Sequence, residues 1–302
     1  MPITKTKLFL RRITRTIRNV ILRLLNFLAS RKVVTPYTGF ILSTHFLSTD
    51  ILDQNLRYLN RKSRDLSELN VFDEISKVII WCQTNQIDEF TNSYLDLIKT
   101  PFILITGRDH WSKLELNASM KTILSNRYLI VWFAQNQIMD DLPIRHFPYG
   151  VNLNNSWKIY LEGKKRTFRK SIEEVHIPFC TIHKSNDEVW RPEIHAAMLA
   201  RESIKPKMGK LKKYKDYITD LRKFAFVLSP MGDRPDTYRH WEILYLGGVP
   251  VTNLPKSFSS LFGENMIFLR DFNCIPRFTK ADYKPNKKFA KVKFWSKIVN
   301  SR

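Results

Sequence analysis

FAFVLSPMGDRPDTYRHWEILYLGGVPVT, residues Phe224–Thr252, is the stretch on which the fold reading turns. It opens as an apolar strand, Phe224–Leu228, and crosses a loop holding Pro230, Gly232 and Pro235. It then enters a helix with Asp236, Arg239 and Glu242 in its first turns. Gly247 and Gly248 stop that helix, and a second apolar strand, Val249–Thr252, follows at once. Strand, polar loop, helix and strand in so short a span form a βαβ unit, which implies a parallel sheet. Such units take ligands at the carboxyl ends of their strands, against helix N-termini. A phosphate group there would meet unpaired backbone N–H groups, the positive end of the helix and Arg239 together.

The same alternation runs outward from this unit. Short apolar runs predict strands at Gly39–Ser43, Lys77–Cys82, Pro101–Thr106, Tyr128–Phe133, Val175–Cys180 and Met266–Leu269. Helices are predicted around Asp50–Asn60, Asp88–Ile98, Leu116–Ser125, Trp190–Arg201 and Lys213–Leu221. Strands without strict alternation, separated by helices, indicate parallel sheets covered on both faces. The expectation is therefore two open α/β halves, residues 33–155 and 156–275, with the break near Val151–Lys170. Residues 1–32 form a basic amphipathic helix. Residues 276–302 are a basic tail whose helix, Lys287–Val299, folds back across both halves.

The chain has 302 residues, 43% hydrophobic and 13% aromatic, which is ample for a packed core. Its net charge of +22 implies an anionic partner: phosphorylated substrate, an acidic membrane surface or nucleic acid. Residues 1–32 carry nine Lys/Arg and no acid, and Pro276–Arg302 carries nine against Asp282 alone. A third cluster, KPKMGKLKKYK, occupies Lys205–Lys215. The excess thus gathers at the two ends and in one linker, not along a groove. Cys82, Cys180 and Cys274 stand far apart, which argues against a disulfide framework and for a reducing, cytoplasmic setting. No HxH, HExxH or DxD pattern occurs, so no bound metal is expected.

In Lys7–Ala29, Leu10, Ile13, Ile17, Ile21, Leu24 and Leu28 recur at helical spacing among arginines. The arginines interrupt the run too often for a membrane-spanning helix. The segment either packs on its own domain or lies on an anionic bilayer as a peripheral anchor.

Polar residues at predicted strand ends are His45, Thr49 and Asp50, then Gln83 and Thr84, then Arg108, Asp109 and His110. A parallel sheet puts them on one rim. Asp109 or His110 is the candidate general base toward a hydroxyl nucleophile; a helix cap and a solvated loop histidine are the alternatives. Asp236 reads as the N-cap of its helix. Arg239 and Glu242 follow at intervals of three, as an intrahelical ion pair or as a ligand-binding pair. Arginine's planar fork suits a diphosphate, and a carboxylate suits paired ribose hydroxyls.

These residues carry a resemblance. Ser229-Pro230, Gly232, Asp236, Arg239, Glu242 and Gly247-Gly248-Val249-Pro250-Val251 follow the carboxyl-terminal signature of exostosin-like glycosyltransferases. Upstream, PFILITGRDH (Pro101–His110), VWFAQN (Val131–Asn136) and FPYGV (Phe147–Val151) resemble bacterial and viral members over roughly residues 75–270. The resemblance implies a GT-B-like fold of two Rossmann-like domains facing a cleft. It also implies inverting, metal-independent transfer from a UDP- or GDP-sugar to a hydroxyl of a glycan or lipid-linked glycan. No further cofactor is implied. Ser229, Gly232, Asp236, Arg239 and Glu242 would then hold the nucleotide-sugar, and Asp109 would lie near the acceptor. The loop Met231–Pro235 departs from the usual Gly-x-Gly. The alternatives are a nucleic-acid-binding protein, which lacks any recognisable binding motif here, and an inactive membrane-surface scaffold on the same fold.

Overall fold

The computed structural model describes residues 5–47, 64–66, 78–108, 116–137, 141–165, 175–179, 209–232, 234–269, 272, 275–278, 283 and 285–301, with the backbone alone for 5–13. Six strands form one parallel sheet: β1 (His45–Leu47), β2 (Arg64–Asp65), β3 (Val78–Gln83), β4 (Phe102–Gly107), β5 (Leu129–Ala134) and β6 (Ile144–His146), in the order β2-β1-β3-β4-β5-β6. Three more, β7 (Phe226–Leu228), β8 (Val249–Thr252) and β9 (Ile267–Phe268), form a second parallel sheet in sequence order. A parallel bridge from His176 to Val227 extends that sheet beyond β7. The chain is α/β with two parallel sheets, as the apolar runs require.

The sheet strands are apolar on both sides because both sides are covered. In β3, β4 and β5, Ile79, Trp81, Ile103, Ile105, Val131 and Phe133 enter one core. The intervening Val78, Ile80, Cys82, Phe102, Leu104 and Trp132 enter another. Burying each such side chain contributes roughly 1.5–3 kcal/mol. A polar residue on these faces needs a partner, as where Thr106 Oγ1 accepts the Trp132 Nε1–H at 2.9 Å. The first core is continuous across the two halves: Phe133 and Phe147 share it with Val227, Trp241, Phe262 and Trp295. The second sheet has its own outer cluster of Phe226, Leu228, Val249 and Val251.

Two local expectations are corrected. Gly39–Ser43, expected as a strand, is a short helix, α2 (Thr38–Leu42). Thr38 Oγ1 accepts the Thr35 N–H at 2.8 Å and starts the turn. Gly39 lies against the sheet so closely that a Cβ would sit 2.6 Å from Trp81 Cδ1. A short apolar run does not itself distinguish strand from buried helix, and here the packing under Trp81 decides. The strand begins later, so His45 lies inside β1, buried, and not on the rim. Burial, then the charge of Arg64, lowers its pKa.

The helix expected over Asp88–Ile98 is a composite over residues 84–97. It comprises 3-10 turns Thr84–Gln86, an α-turn Ile87–Glu89, a π-turn Phe90–Tyr94 and 3-10 turns Leu95–Leu97. The wider π-turn lets Phe90 and Leu95, five residues apart, both point inward, where they are buried with Ile98. The expected helices Asp50–Asn60 and Trp190–Arg201 lie outside the described residues, as do Thr49, Asp50, Cys180 and Cys274.

Helix α1 spans Lys5–Ser30 and α9 spans Val292–Asn300. An antiparallel bridge joins Val33 to Lys291, flanked by Val34 N–H to Ala290 O at 3.0 Å and Val292 N–H to Lys32 O at 3.2 Å. Trp295 of α9 packs edge-on against Phe147 at 5.6 Å, so the basic tail does fold back onto the first half. Gly150 closes this region at φ +81°, and a Cβ there would lie 2.4 Å from Val34 O. Both the left-handed conformation and the backbone collision act against any side chain. Gly150→Ala is expected to destabilise by about 3 kcal/mol, read as a lower denaturant midpoint at unchanged slope.

Candidate functional site

The βαβ unit carries the site residues. Helix α7 (Tyr238–Tyr245) begins after the loop that leaves β7, and its N-cap is Thr237, not Asp236 as expected. His240 completes the cap: its Nδ1 accepts the Thr237 N–H at 3.0 Å, while its Nε2 donates to Ser229 O at 2.8 Å.

Asp236 instead links the two halves. Its Oδ2 accepts the Tyr149 N–H at 2.9 Å, and the Trp241 Nε1–H reaches its carboxylate at 2.8 Å. Its own N–H donates to Asn136 Oδ1 at 2.8 Å. Asn136 has φ +57°, a conformation that asparagine tolerates better than most residues. Burial raises the Asp236 pKa above the usual carboxylate range, with the hydrogen bonds opposing it. Beside this junction Tyr149 stacks on Tyr238 at 5.0 Å, and the Arg234 guanidinium lies 4.4 Å from the Tyr149 ring centre.

Arg239 and Glu242 point to the other side of α7, toward α6 (Tyr214–Leu221). Glu242 is buried, and each of its oxygens accepts a tyrosine hydroxyl at 2.8 Å: Oε1 from Tyr214, Oε2 from Tyr217. Arg239 donates through Nε to Tyr217 Oη at 3.2 Å and through Nη2 to Phe179 O at 2.7 Å. Burial raises the Glu242 pKa; the two tyrosines and the Arg239 charge pull it back. Burial and the Glu242 charge raise both tyrosine pKa values, which keeps their hydroxyls as donors.

Arg239, Tyr214 and Tyr217 form one wall of a cavity of about 230 Å³, with Glu242 buried behind the tyrosines. Arg239, His176, Lys210 and Lys212 bring positive or titratable groups to it, and Phe179 and Leu211 bring apolar surface. Asp220, an acid on its lining, is bonded to Lys212 and Lys223. Burial lowers the His176 pKa, with Asp220 opposing; its ring stacks on Phe224 at 4.1 Å. The cavity can therefore hold an anion against Arg239 and a flat group against apolar walls. A larger cavity of about 710 Å³ lies between β6, Ser257, Ser260 and α9. Its walls are mainly Phe133, Phe289, Phe294, Trp295 and Ile298, and it contains none of the sequence-predicted site residues.

Ser229 and Gly232 are buried. Ser229 donates its N–H to Val251 O, and Gly232 donates its N–H to Arg234 O at 2.9 Å, so both shape the β7 exit. Among the described residues nothing pairs with Ser229 Oγ. Asp109 and His110 lie outside the described residues. The residue before them, Arg108, has φ +72°, which costs about 1–2 kcal/mol for a residue with a side chain. Gln135 holds it there. Its Oε1 accepts the Arg108 N–H at 2.8 Å, while its Nε2 donates to Pro36 O and Pro148 O. Gln135 thus fixes the direction in which the chain leaves β4.

Sequence reasoning missed Gln135, Tyr214 and Tyr217. The tyrosines had a signal in their i,i+3 spacing on a predicted helix, but their partner lies in a different segment. Among the described residues no group of three His, Cys, Asp or Glu side chains could hold a metal ion. Comparison with protein-family models and with curated proteins returns no match to this chain.

Proposed function

We propose that the protein is an inverting glycosyltransferase that moves a sugar from a UDP- or GDP-sugar to a hydroxyl of a glycan or lipid-linked glycan. The observation that carries this reading is the Arg239–Glu242–tyrosine array beside a basic cavity, near the carboxyl end of a parallel strand. Arg239 meets the diphosphate, helped by Lys210 and Lys212. The ribose hydroxyls meet the Tyr214 and Tyr217 hydroxyls, which Glu242 orients from behind, since a phenol oxygen that donates its hydrogen still has lone pairs with which to accept. The base occupies the apolar wall.

The acceptor hydroxyl attacks the anomeric carbon as the bond to the diphosphate breaks, and its proton passes to Asp109 or His110. Arg239 offsets the charge that grows on the leaving diphosphate, where a preorganised donor has its largest effect. GT-B geometry, an acceptor cleft and metal-independent chemistry belong to this proposal.

A donor panel tests it. Full-length protein is mixed with UDP- and GDP-sugars, and nucleoside diphosphate release and direct UDP or GDP binding are measured. Saturable binding together with release from at least one donor is expected. Failure to bind either diphosphate across the panel would reject the reading.

A further inference from the structure

The apolar stripe of α1 faces away from the protein. Ile17, Val20, Ile21, Leu24 and Leu28, spaced at i, i+3, i+4, i+7 and i+11, share one helix face. They are 54, 61, 50, 55 and 48% exposed. The helix docks through its opposite, small and polar face instead. Ala29 and Ser30 are fully buried there, and Asn26 donates to Asn154 O at 3.2 Å while accepting the Trp157 N–H at 3.1 Å. Residues 14–24 are exposed on every side, so the helix projects from the body.

An amphipathic helix that packs on its own domain does the reverse and turns its apolar stripe inward. Arg15, Arg18 and Arg23, all exposed, stand around the stripe. The Val33–Lys291 bridge brings exposed Lys291 and Lys293 near the base of the helix. Among the described residues no helix is long and apolar enough to cross a membrane.

We infer that α1 is an interfacial helix that lies in the plane of an anionic lipid surface, its stripe among the acyl chains and its arginines at the headgroups. A stripe without flanking charge would suit another copy of the chain equally well. The ring of arginines, with no acid in residues 1–32, selects a negatively charged surface.

Cosedimentation of the full chain with vesicles tests this, comparing pure phosphatidylcholine with phosphatidylcholine–phosphatidylserine mixtures. Wild type should bind the anionic vesicles much more tightly, and roughly 1 M salt should weaken that binding by shrinking the screening length. Arg15→Gln/Arg18→Gln/Arg23→Gln should weaken it about a hundredfold, at about fivefold per arginine. Ile17→Glu/Leu24→Glu should abolish it, with melting unchanged because both side chains are exposed. Binding that ignores lipid charge, or that survives Ile17→Glu/Leu24→Glu, overturns the inference. So does a wild-type dimer that those same substitutions convert to monomer in the absence of vesicle binding. Diphosphate binding is read separately on each variant, so loss of lipid binding alone says nothing against the transferase reading.

Discussion

Replacing Arg239 with alanine is expected to cut sugar transfer by about 10²–10³-fold, the usual loss when one preorganised donor to a developing anion is removed. Arg239→Lys should recover only part of this, roughly tenfold, because lysine keeps the charge but not the planar fork. A pH signature separates loss of the group from general damage. Burial raises the Glu242 pKa, and Arg239 is one of the groups that pull it back, so Arg239→Ala moves it further up. A carboxyl whose folded value is raised contributes stability that is complete below its unfolded value, about 4.3, and is lost as pH rises through the folded value. The melting difference between Arg239→Ala and wild type should therefore widen as pH rises above about 4.3, and adding Glu242→Gln should remove that widening. Transfer by Arg239→Ala at the wild-type rate would show that the donor does not sit against this helix.

The largest stability effect is expected at Asp236. Asp236→Ala leaves the Tyr149 N–H and the Trp241 Nε1–H buried without an acceptor, at about 1–3 kcal/mol each. A total of roughly 3–5 kcal/mol corresponds to a fall in melting temperature of about 5–8 °C for a chain of this size. Asp236→Asn should be far milder. Its remaining oxygen can accept both donors, and its amide then faces His240 Nδ1, which lies 3.4 Å from Asp236 Oδ1 in the wild type. Because burial dominates and raises the Asp236 pKa, the wild type loses this stability as pH rises from about 3.9 through the folded value. Asparagine has no such loss, so its deficit relative to wild type should shrink toward alkaline pH. Calorimetric scans across pH measure this, and an Asp236→Ala variant that melts like wild type would refute the joining role.

Both residues stood out in the sequence; Arg239 and Glu242 meet through Tyr217, which bonds to each. Asp236 and Thr237 are equally good caps by residue type, and what assigns the role is where Tyr149 and Trp241 place their donors. The Tyr149 contact is long-range, across 87 residues, and no local spacing encodes it. Glu242 was legible as an acid paired with Arg239 by spacing, but its burial and its tyrosine partners come from packing against α6 and needed the fold to find. The long apolar strands were readable because burial on two faces leaves continuous runs such as Val78–Gln83 and Phe102–Gly107. Strand β6, three residues between prolines, carries no such run. Helix α2 was hidden by the ambiguity of four apolar or small residues in a row.

The bridge between Val33 and Lys291 also has a meaning for synthesis. The ribosome releases the first sheet long before it makes Trp295, which seals Phe147, or Ala290, which accepts the Val34 N–H. Until that late segment emerges, the nascent chain holds a completed strand order with an uncovered aromatic seam. Vectorial folding therefore has a built-in waiting period, in which this seam is the surface a chaperone would have to shield.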